Sequence, residues 1–381
     1  MQLRKAIPIL CVYTLMLSSC TSEVSQSDAE VLQIDENLFV VVGGNGRGSN
    51  VGVFVGADEV VLVDAMTEEA NQHLLSAIHS ITDKPVTYVI NTHSDSDHAG
   101  GNAFFSDRGA TIISHENAEY SNALWDSTFS DTLSLQIGPE TIRLHHVVSH
   151  AFDDVIIAFD KSNAVFLGDV FTTRWHPTFS SGGASGQRSA LSLAFELANN
   201  SSSIVPGHGT ITKRDELLLF SQRTDLLVAR VGELFGRGVP VTSIATDDIF
   251  LKTLSEFNVD EREVFVVGDR LVRFIERIIS TEFVDATPLN NIESFAGLYT
   301  VDDVRLIEIV VRDGKLYALA PGDFIAELIP QRNGEFHIRG SLGDSFNFNL
   351  DRTDSVDQFL LRRGEETLTG NRILAAEEDR L

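Results

Sequence analysis

The stretch "NTHSDSDHAGG", residues 91–101, sets His93, Asp95, Asp97 and His98 within six positions, directly behind the β-rich run "PVTYVI". A strand ending in His-x-Asp-x-Asp-His projects several ligand side chains from one tight loop toward one point. Nitrogen and carboxylate donors together suit zinc, iron or manganese. Four donors so close could serve two adjacent ions. Three further candidates follow apolar runs downstream: His150 in "VVSHAFDD", Asp169 in "AVFLGDVF" and His208 in "IVPGHGT". Each is expected at the carboxyl edge of a strand, where α/β folds build their sites.

Outward from that loop, "LFVVVGG", "NVGVFVG" and "EVVLVDA" upstream read as strands, as do "ATIISHE", "ETIRLHHVVSH", "DVIIAFD" and "NAVFLGD" downstream. "EEANQHLLSAIHSI" carries apolar residues at helical spacing behind Thr67, which predicts a helix with Thr67 as its N-cap. "RSALSLAFELANN" and "RDELLLFSQRTDLLVARVGELF" also read as helices, and paired strands with interspersed helices predict an α/β sandwich. The glycine-rich "GGNGRG", residues 43–48, lacks the following helix that phosphate binding needs, so it reads as a hairpin turn. Residues 213–285 are mostly helical in pattern, and "PLNN" at Pro288 marks a boundary. Beyond it, short strands separated by turns such as "RDGK" and "RNGE" predict a small all-β domain over 290–381.

With 381 residues the chain has room for two domains. Its formal net charge of −26 argues against nucleic acid, whose binding relies on Lys and Arg neutralising phosphates. That charge reads as a solvated acidic surface. "MQLRK" followed by "AIPILCVYTLML" is a basic start and an apolar run too short to span a bilayer. "LSSC" then sets small residues before Cys20, similar to the lipobox of bacterial lipoprotein signals. The expectation is a signal over 1–19, lipidation at Cys20, a polar tether over 20–30, and an exported, membrane-anchored protein of the periplasm. With Cys11 removed, Cys20 is the remaining thiol and no internal disulfide can form.

The order "NTHSDSDHAGG", "SHAFDD", "FLGD" and "VPGHG" resembles the metallo-β-lactamase superfamily over roughly residues 31–225, and "GSNVGVFVG" with "VVLVDA" matches its opening hairpin. The resemblance implies a four-layer αββα sandwich, here over 31–285 with a helical extension. It implies two divalent ions, zinc in the first instance. His93 and His150 would hold the first ion, Asp97, His98 and His208 the second, with Asp169 between them. The family's second loop histidine is replaced by Asp95. A carboxylate oxygen is as many bonds from Cα as imidazole Nδ1, so Asp95 could ligate without moving the backbone, favouring Mn or Fe. The other reading is a weakened first site. "SHAFDD" also departs from the family's usual His-Thr-x-Gly, with Ala151 and Asp153 in place of threonine and glycine. The β-rich tail is similar to a domain of unknown function behind some lactamase-type hydrolases.

Among other candidates, His145 and His146 fall one on each face of a strand and read as structural. His73 and His79 read as surface residues of the amphipathic helix, and His115 could approach the site from a neighbouring strand. The segment 171–188 holds Arg174, Trp175 and His176 behind Asp169 and is a candidate substrate rim or an ordinary surface loop. The function implied is a metallohydrolase acting on a small-molecule ester, lactone or amide, with a β-lactam as a further option, Asp97 orienting or deprotonating the attacking water. A second reading is a non-catalytic or single-metal envelope lipoprotein whose scaffold binds a partner or glycan.

Overall fold

The computed structural model describes residues 29–120, 123–178, 181–257, 268–284, 286–289, 291–302, 305–312, 314–320, 324–331, 334–350 and 356–373. The expected signal sequence, Cys20 and the tether up to residue 28 lie outside the described residues.

The first sheet runs in chain order: β1 (Val31–Gln33), β2 (Leu38–Val41), β3 (Val51–Val55), β4 (Val60–Val63), β5 (Tyr88–Ile90), β6 (Thr111–His115) and β7 (Ser127–Phe129). Its first four strands pair antiparallel through short turns, and β4 to β7 pair parallel. A parallel pair needs a crossover. Helix α1 (Asn71–Ile81) supplies the one before β5, and α2 (Ser96–Ala99) with α3 (Asn102–Ser106) the one before β6. The second sheet has β8 (Thr132–Ile137), β9 (Glu140–His146), β10 (Val155–Phe159), β11 (Ala164–Phe166) and β12 (Ser203–Val205), in the order β12-β11-β10-β9-β8. Helix α4 (Gly183–Leu197) crosses between the parallel β11 and β12. Helices α5 (Arg214–Gly236), α6 (Val241–Ile244), α7 (Asp248–Ser255) and α8 (Asp269–Glu282) follow.

Strand periodicity builds the layers. In β4, Val60 and Leu62 pack with Leu74, Ile78 and Phe105 of the first helical layer, while Val61 and Val63 face the other sheet. In β10, Val155, Ile157 and Phe159 join that same inter-sheet core, while Ile156 and Ala158 pack with Leu191, Leu227 and Ile278 of the second helical layer. Three apolar seams therefore separate four layers, helix-sheet-sheet-helix. Strands buried on both faces explain why the sequence shows near-continuous apolar runs instead of alternation.

Thr67 departs from expectation. It precedes a short 3-10 turn (Glu68–Ala70) without a side-chain cap bond, and the α-helix starts at Asn71. Its backbone N–H is taken by the Arg47 carbonyl of the β2–β3 turn, which ties the chain there in place of a helical start.

The C-terminal domain is a closed antiparallel barrel of eight strands: β13 (Gly297–Val301), β14 (Arg305–Arg312), β15 (Lys315–Ala320), β16 (Phe324–Pro330), β17 (Glu335–Ile338), β18 (Ser345–Leu350), β19 (Val356–Arg363) and β20 (Glu366–Arg372). The pairing Tyr299↔Arg372 closes it, so no strand edge is left open within it. Its interior is aromatic, with Phe295, Phe336, Phe346, Phe348 and Phe359 around the fully buried Tyr299, whose hydroxyl donates to the Phe295 carbonyl at 2.9 Å.

Candidate metal centre

The seven candidate ligands meet at the carboxyl ends of the strands. His93 lies just past β5, Asp97 and His98 sit in the one-turn helix α2, and Asp95 immediately precedes that helix without capping it. His150 lies on the β9–β10 turn, Asp169 in the 3-10 turn after β11, and His208 after β12. Strands from both sheets end here, so residues 115 positions apart in sequence come together.

The donors form two triads and a link. His93, Asp95 and His150 make one group, and Asp97, His98 and His208 another, each with donor atoms within 4.8 Å of one another. Asp95 Oδ2 lies 3.2 Å from His150 Nε2 and 3.5 Å from His93 Nε2. Asp97 Oδ2 is 3.2 Å from His208 Nε2, which lies 3.3 Å from His98 Nε2. Asp169 stands between the groups: Oδ1 is 3.4 Å from both His98 and His208 Nε2, and Oδ2 is 4.0 Å from His150 Nε2. All four imidazoles thus present Nε2 to the centre.

The remaining ring nitrogens are held from behind. Asp64, at the end of β4, accepts from the Thr92 backbone N–H (2.7 Å), the Thr92 hydroxyl (2.8 Å) and His98 Nδ1 (2.9 Å). His98 therefore carries its proton on Nδ1 and offers a lone pair at Nε2. Because the Thr92 hydroxyl proton goes to Asp64, its oxygen accepts from His93 Nδ1 at 3.2 Å, which orients His93 likewise. His150 Nδ1 is held by the Thr178 hydroxyl at 2.5 Å. Sequence reasoning missed Asp64, Thr92 and Thr178. The signal for Asp64 was an acid closing an all-apolar strand in "VVLVDA", where a buried carboxylate needs donors.

Electrostatics describe a centre rich in negative charge. Burial and neighbouring His98 disfavour a proton on His93, yet Asp95 and Asp169 more than offset this and raise it to about 9. His98 and His150 are also raised, against the same burial penalty, by Asp64 and Asp169 and by Asp95 and Asp169 respectively. The His150 and His93 imidazoles beside it hold Asp95 well below the usual carboxylate range. For Asp169, burial pushes upward but the surrounding imidazoles win and hold it low. A cluster that draws protons this strongly offers the same lone pairs to a cation.

Close packing completes the cradle. Gly168 has φ +49, and a Cβ there would stand 2.6 Å from Thr92 Oγ1. A Cβ on Gly207 would collide with Asp169 Oδ1 and the Gly168 backbone. The glycines of "FLGD" and "VPGHG" let the Asp169 and His208 turns touch. The "GGNGRG" turn joins β2 to β3, and just past it the Ser49 N–H donates to the Asp97 carbonyl at 2.9 Å.

The rim candidates separate. Trp175 packs its ring 4.8 Å from that of His208, and Arg174 lies against Gly44 of the β2–β3 turn and Gly209. His176 is not at a rim: it is 2% exposed, its ring 4.6 Å from Phe274, Nδ1 donating to Pro177 O, and burial lowers it to about 4. The apolar surface of α8 captured it. His115 does not join the centre; it stacks on His146 at 3.5 Å and 6° and hydrogen-bonds the Ser130 carbonyl. His146 bonds the Phe152 carbonyl, and His79 is exposed while His73 is half-buried. In "SHAFDD", Asp154 Oδ2 accepts the Ala151 N–H at 2.8 Å, holding the His150 turn where the family pattern has other residues.

The donor set fits a metal. His93 Nε2 and Asp169 Oδ1 are buried with no hydrogen-bond partner among the described residues, an arrangement costly unless a cation is their intended partner. Nitrogen and carboxylate donors suit zinc and its first-row neighbours. Fold and site together define a layered α/β domain whose His/Asp centre is suited to metal ions.

Residues 44–208 match the profile of a family described as "Metallo-beta-lactamase superfamily". Among solved structures, the chain is similar to the stereoselective inverting sec-alkylsulfatase Pisa1 from Pseudomonas sp., at 13% identity and a TM-score of 0.52, covering 70% of this chain and 53% of that one. It thus spans about half of the sulfatase's length. A metallo-beta-lactamase from Pontibacter korlensis is matched at 18% identity and a TM-score of 0.45, over 52% of this chain and 99% of that one. At 13% identity the likeness to the sulfatase is one of fold.

Proposed function

We propose that this chain is a two-metal hydrolase of ester, lactone or amide bonds, β-lactams included, exported and held at the bacterial envelope through lipidated Cys20. The observation that carries the reading is the convergence of four imidazole Nε2 atoms and three carboxylates into two triads joined by Asp169. His93, Asp95 and His150 would hold one ion and Asp97, His98 and His208 the other. Zinc is the first choice, with manganese or iron favoured by the oxygen donor of Asp95. Bound ions would supply Lewis acidity, acidifying a water and polarising the scissile group.

The chain's own residues do the rest. Asp97 is 40% exposed at its side chain and kept ionised by His208 and His98 despite burial. Its part-exposed carboxylate would orient an attacking water or take its proton. Asp64 and Thr92 keep His98 and His93 from turning, and Trp175 walls the His208 side. Asp95 is 55% exposed at its side chain, so it faces the mouth of the site.

The test is metal content of the purified chain and of Asp95→Ala, followed by a panel of carboxylic esters, lactones, amides, a β-lactam and a secondary alkyl sulfate. The last is included for the fold shared with the sulfatase. Two ions falling to one in Asp95→Ala, with turnover of a panel member lost on chelation, is the expected result. No stoichiometric metal after reconstitution with Zn, Mn and Fe would refute it.

A further inference from the structure

The turn that carries His150 is tied to the C-terminal barrel. The Phe152 carbonyl, two residues past His150, accepts from Asn117 Nδ2 and His146 Nε2, both at 2.8 Å. Asn117 lies in the 3-10 turn Glu116–Tyr120, its N–H donating to His115 Nδ1 at 3.2 Å. Its Oδ1 accepts from Arg312 Nη1 at 2.7 Å. Arg312 ends β14 at the tip of the β14–β15 hairpin. From β15, Tyr317 meets the Phe152 ring edge-on, centroids 6.1 Å apart at 86°.

The barrel's register makes this a designed face of the hairpin. Leu316 and Ala318 point into the barrel core, so Tyr317 points out, and its cross-strand partner is Val310, two residues before Arg312. The hairpin thus holds the His150 turn twice, through the main chain by way of Asn117 and through the Phe152 side chain. Asn117 is fully committed in this position, because Arg312 can only donate and a carbonyl can only accept. Thr178 and Asp154 brace the same turn from within its own domain, and the braces of the other triad are of that kind: His98 by Asp64, the Asp97 carbonyl by the Ser49 N–H, and the His208 carbonyl by the Thr172 hydroxyl at 3.1 Å. A separate contact, Arg339 bonding Glu327 and donating to the Thr281 carbonyl, anchors the barrel to the end of α8, where Thr281 packs on Gly183 at the start of α4.

We infer that Arg312 and Tyr317 of the barrel are positioning residues for His150, so that cation affinity of the His93–Asp95–His150 triad depends on the barrel while the Asp97–His98–His208 triad does not. This rests on the metal-centre reading above. Ligand-bearing turns tolerate little displacement, and loss of a residue that orients a ligand typically costs ten- to a hundredfold in metal affinity.

The test titrates the intact, metal-free chain with Zn2+ against a competing chelator, reading two binding steps assigned by the step each of His150→Ala and His208→Ala abolishes. Arg312→Ala is expected to weaken the His150 step about tenfold or more and leave the His208 step within about twofold. Arg312→Lys, which keeps a donor, should recover most of the loss. Asn117→Ala should reproduce it, and the Arg312→Ala/Asn117→Ala pair should be no weaker than Asn117→Ala alone. Should Arg312→Ala not fold, Tyr317→Ala reads the same step. Both steps unchanged, or both weakened equally alongside a lower melting temperature, overturns the inference while leaving the metal centre standing. A wild-type chain that takes up no Zn2+ overturns the metal-centre reading and the inference with it.

Discussion

Asp64→Asn is the substitution that most directly probes how the centre is held. It keeps the shape of a side chain that is 2% exposed and changes only its hydrogen-bonding character. Three donors converge on the carboxylate: the Thr92 N–H on Oδ1, and the Thr92 hydroxyl and His98 Nδ1 on Oδ2. An asparagine offers one acceptor oxygen and turns a donating NH2 toward whatever the second oxygen held. If the amide oxygen stays on Thr92 N–H, the NH2 faces His98 Nδ1–H, and that ring is pressed to flip or change tautomer. At least one buried donor is left unmatched, costing about 1–3 kcal/mol. His98 also loses the negative charge behind it, so metal affinity should fall about ten- to a hundredfold. Urea unfolding of the metal-free protein reads the first quantity, and Zn2+ competition at fixed pH reads the second. Metal-free stability within about 0.5 kcal/mol of wild type, together with unchanged Zn2+ affinity, would refute the reasoning and remove Asp64 from the site.

Other outcomes follow from the same structure. Gly207→Ala drives a methyl into Asp169 and the Gly168 backbone, so bound metal should be lost; full metal retention would contradict this packing. His115 is nearly buried, and burial followed by repulsion from His146 lowers it to about 4. A depressed histidine means the unfolded chain binds the extra proton. Its stabilising share is therefore complete above about pH 6.5 and is lost as pH falls toward 4, by at most about 3 kcal/mol. His115→Gln should flatten the stability–pH slope across that window, and an identical slope would count against it. Asp247 caps α7 by accepting the Phe250 N–H at 2.9 Å while pairing with Arg230. Asp247→Ala should cost about 1 kcal/mol in urea unfolding without altering metal content.

Much of the centre could be read locally. His93, Asp95, Asp97 and His98 share one loop, and His150, Asp169 and His208 each close an apolar run, so strand pattern alone placed them at strand ends. The layered sandwich was readable for a similar reason: runs such as "EVVLVDA" and "DVIIAFD" are apolar on both faces, which only a strand covered on both sides requires. His176 misled because its neighbourhood in sequence is polar and glycine-rich, while its burial depends on Phe274, 98 positions away. Thr67 misled because its residue type suits a cap, but capping depends on where the next turn points.

Sequence by itself determined the types and order of the donors, since each ligand needs only its own side chain and the end of its own strand. It also determined that strands dominate the C-terminal region, from alternation and turn residues. Tertiary structure alone decided that Asp95 Oδ2 reaches His150, that Asp64 stands behind His98, and that eight strands close into a barrel whose Arg312 grips Asn117. These are contacts between segments tens to nearly two hundred residues apart. No local periodicity encodes them, because they arise only when buried faces from separate elements fix one another's positions.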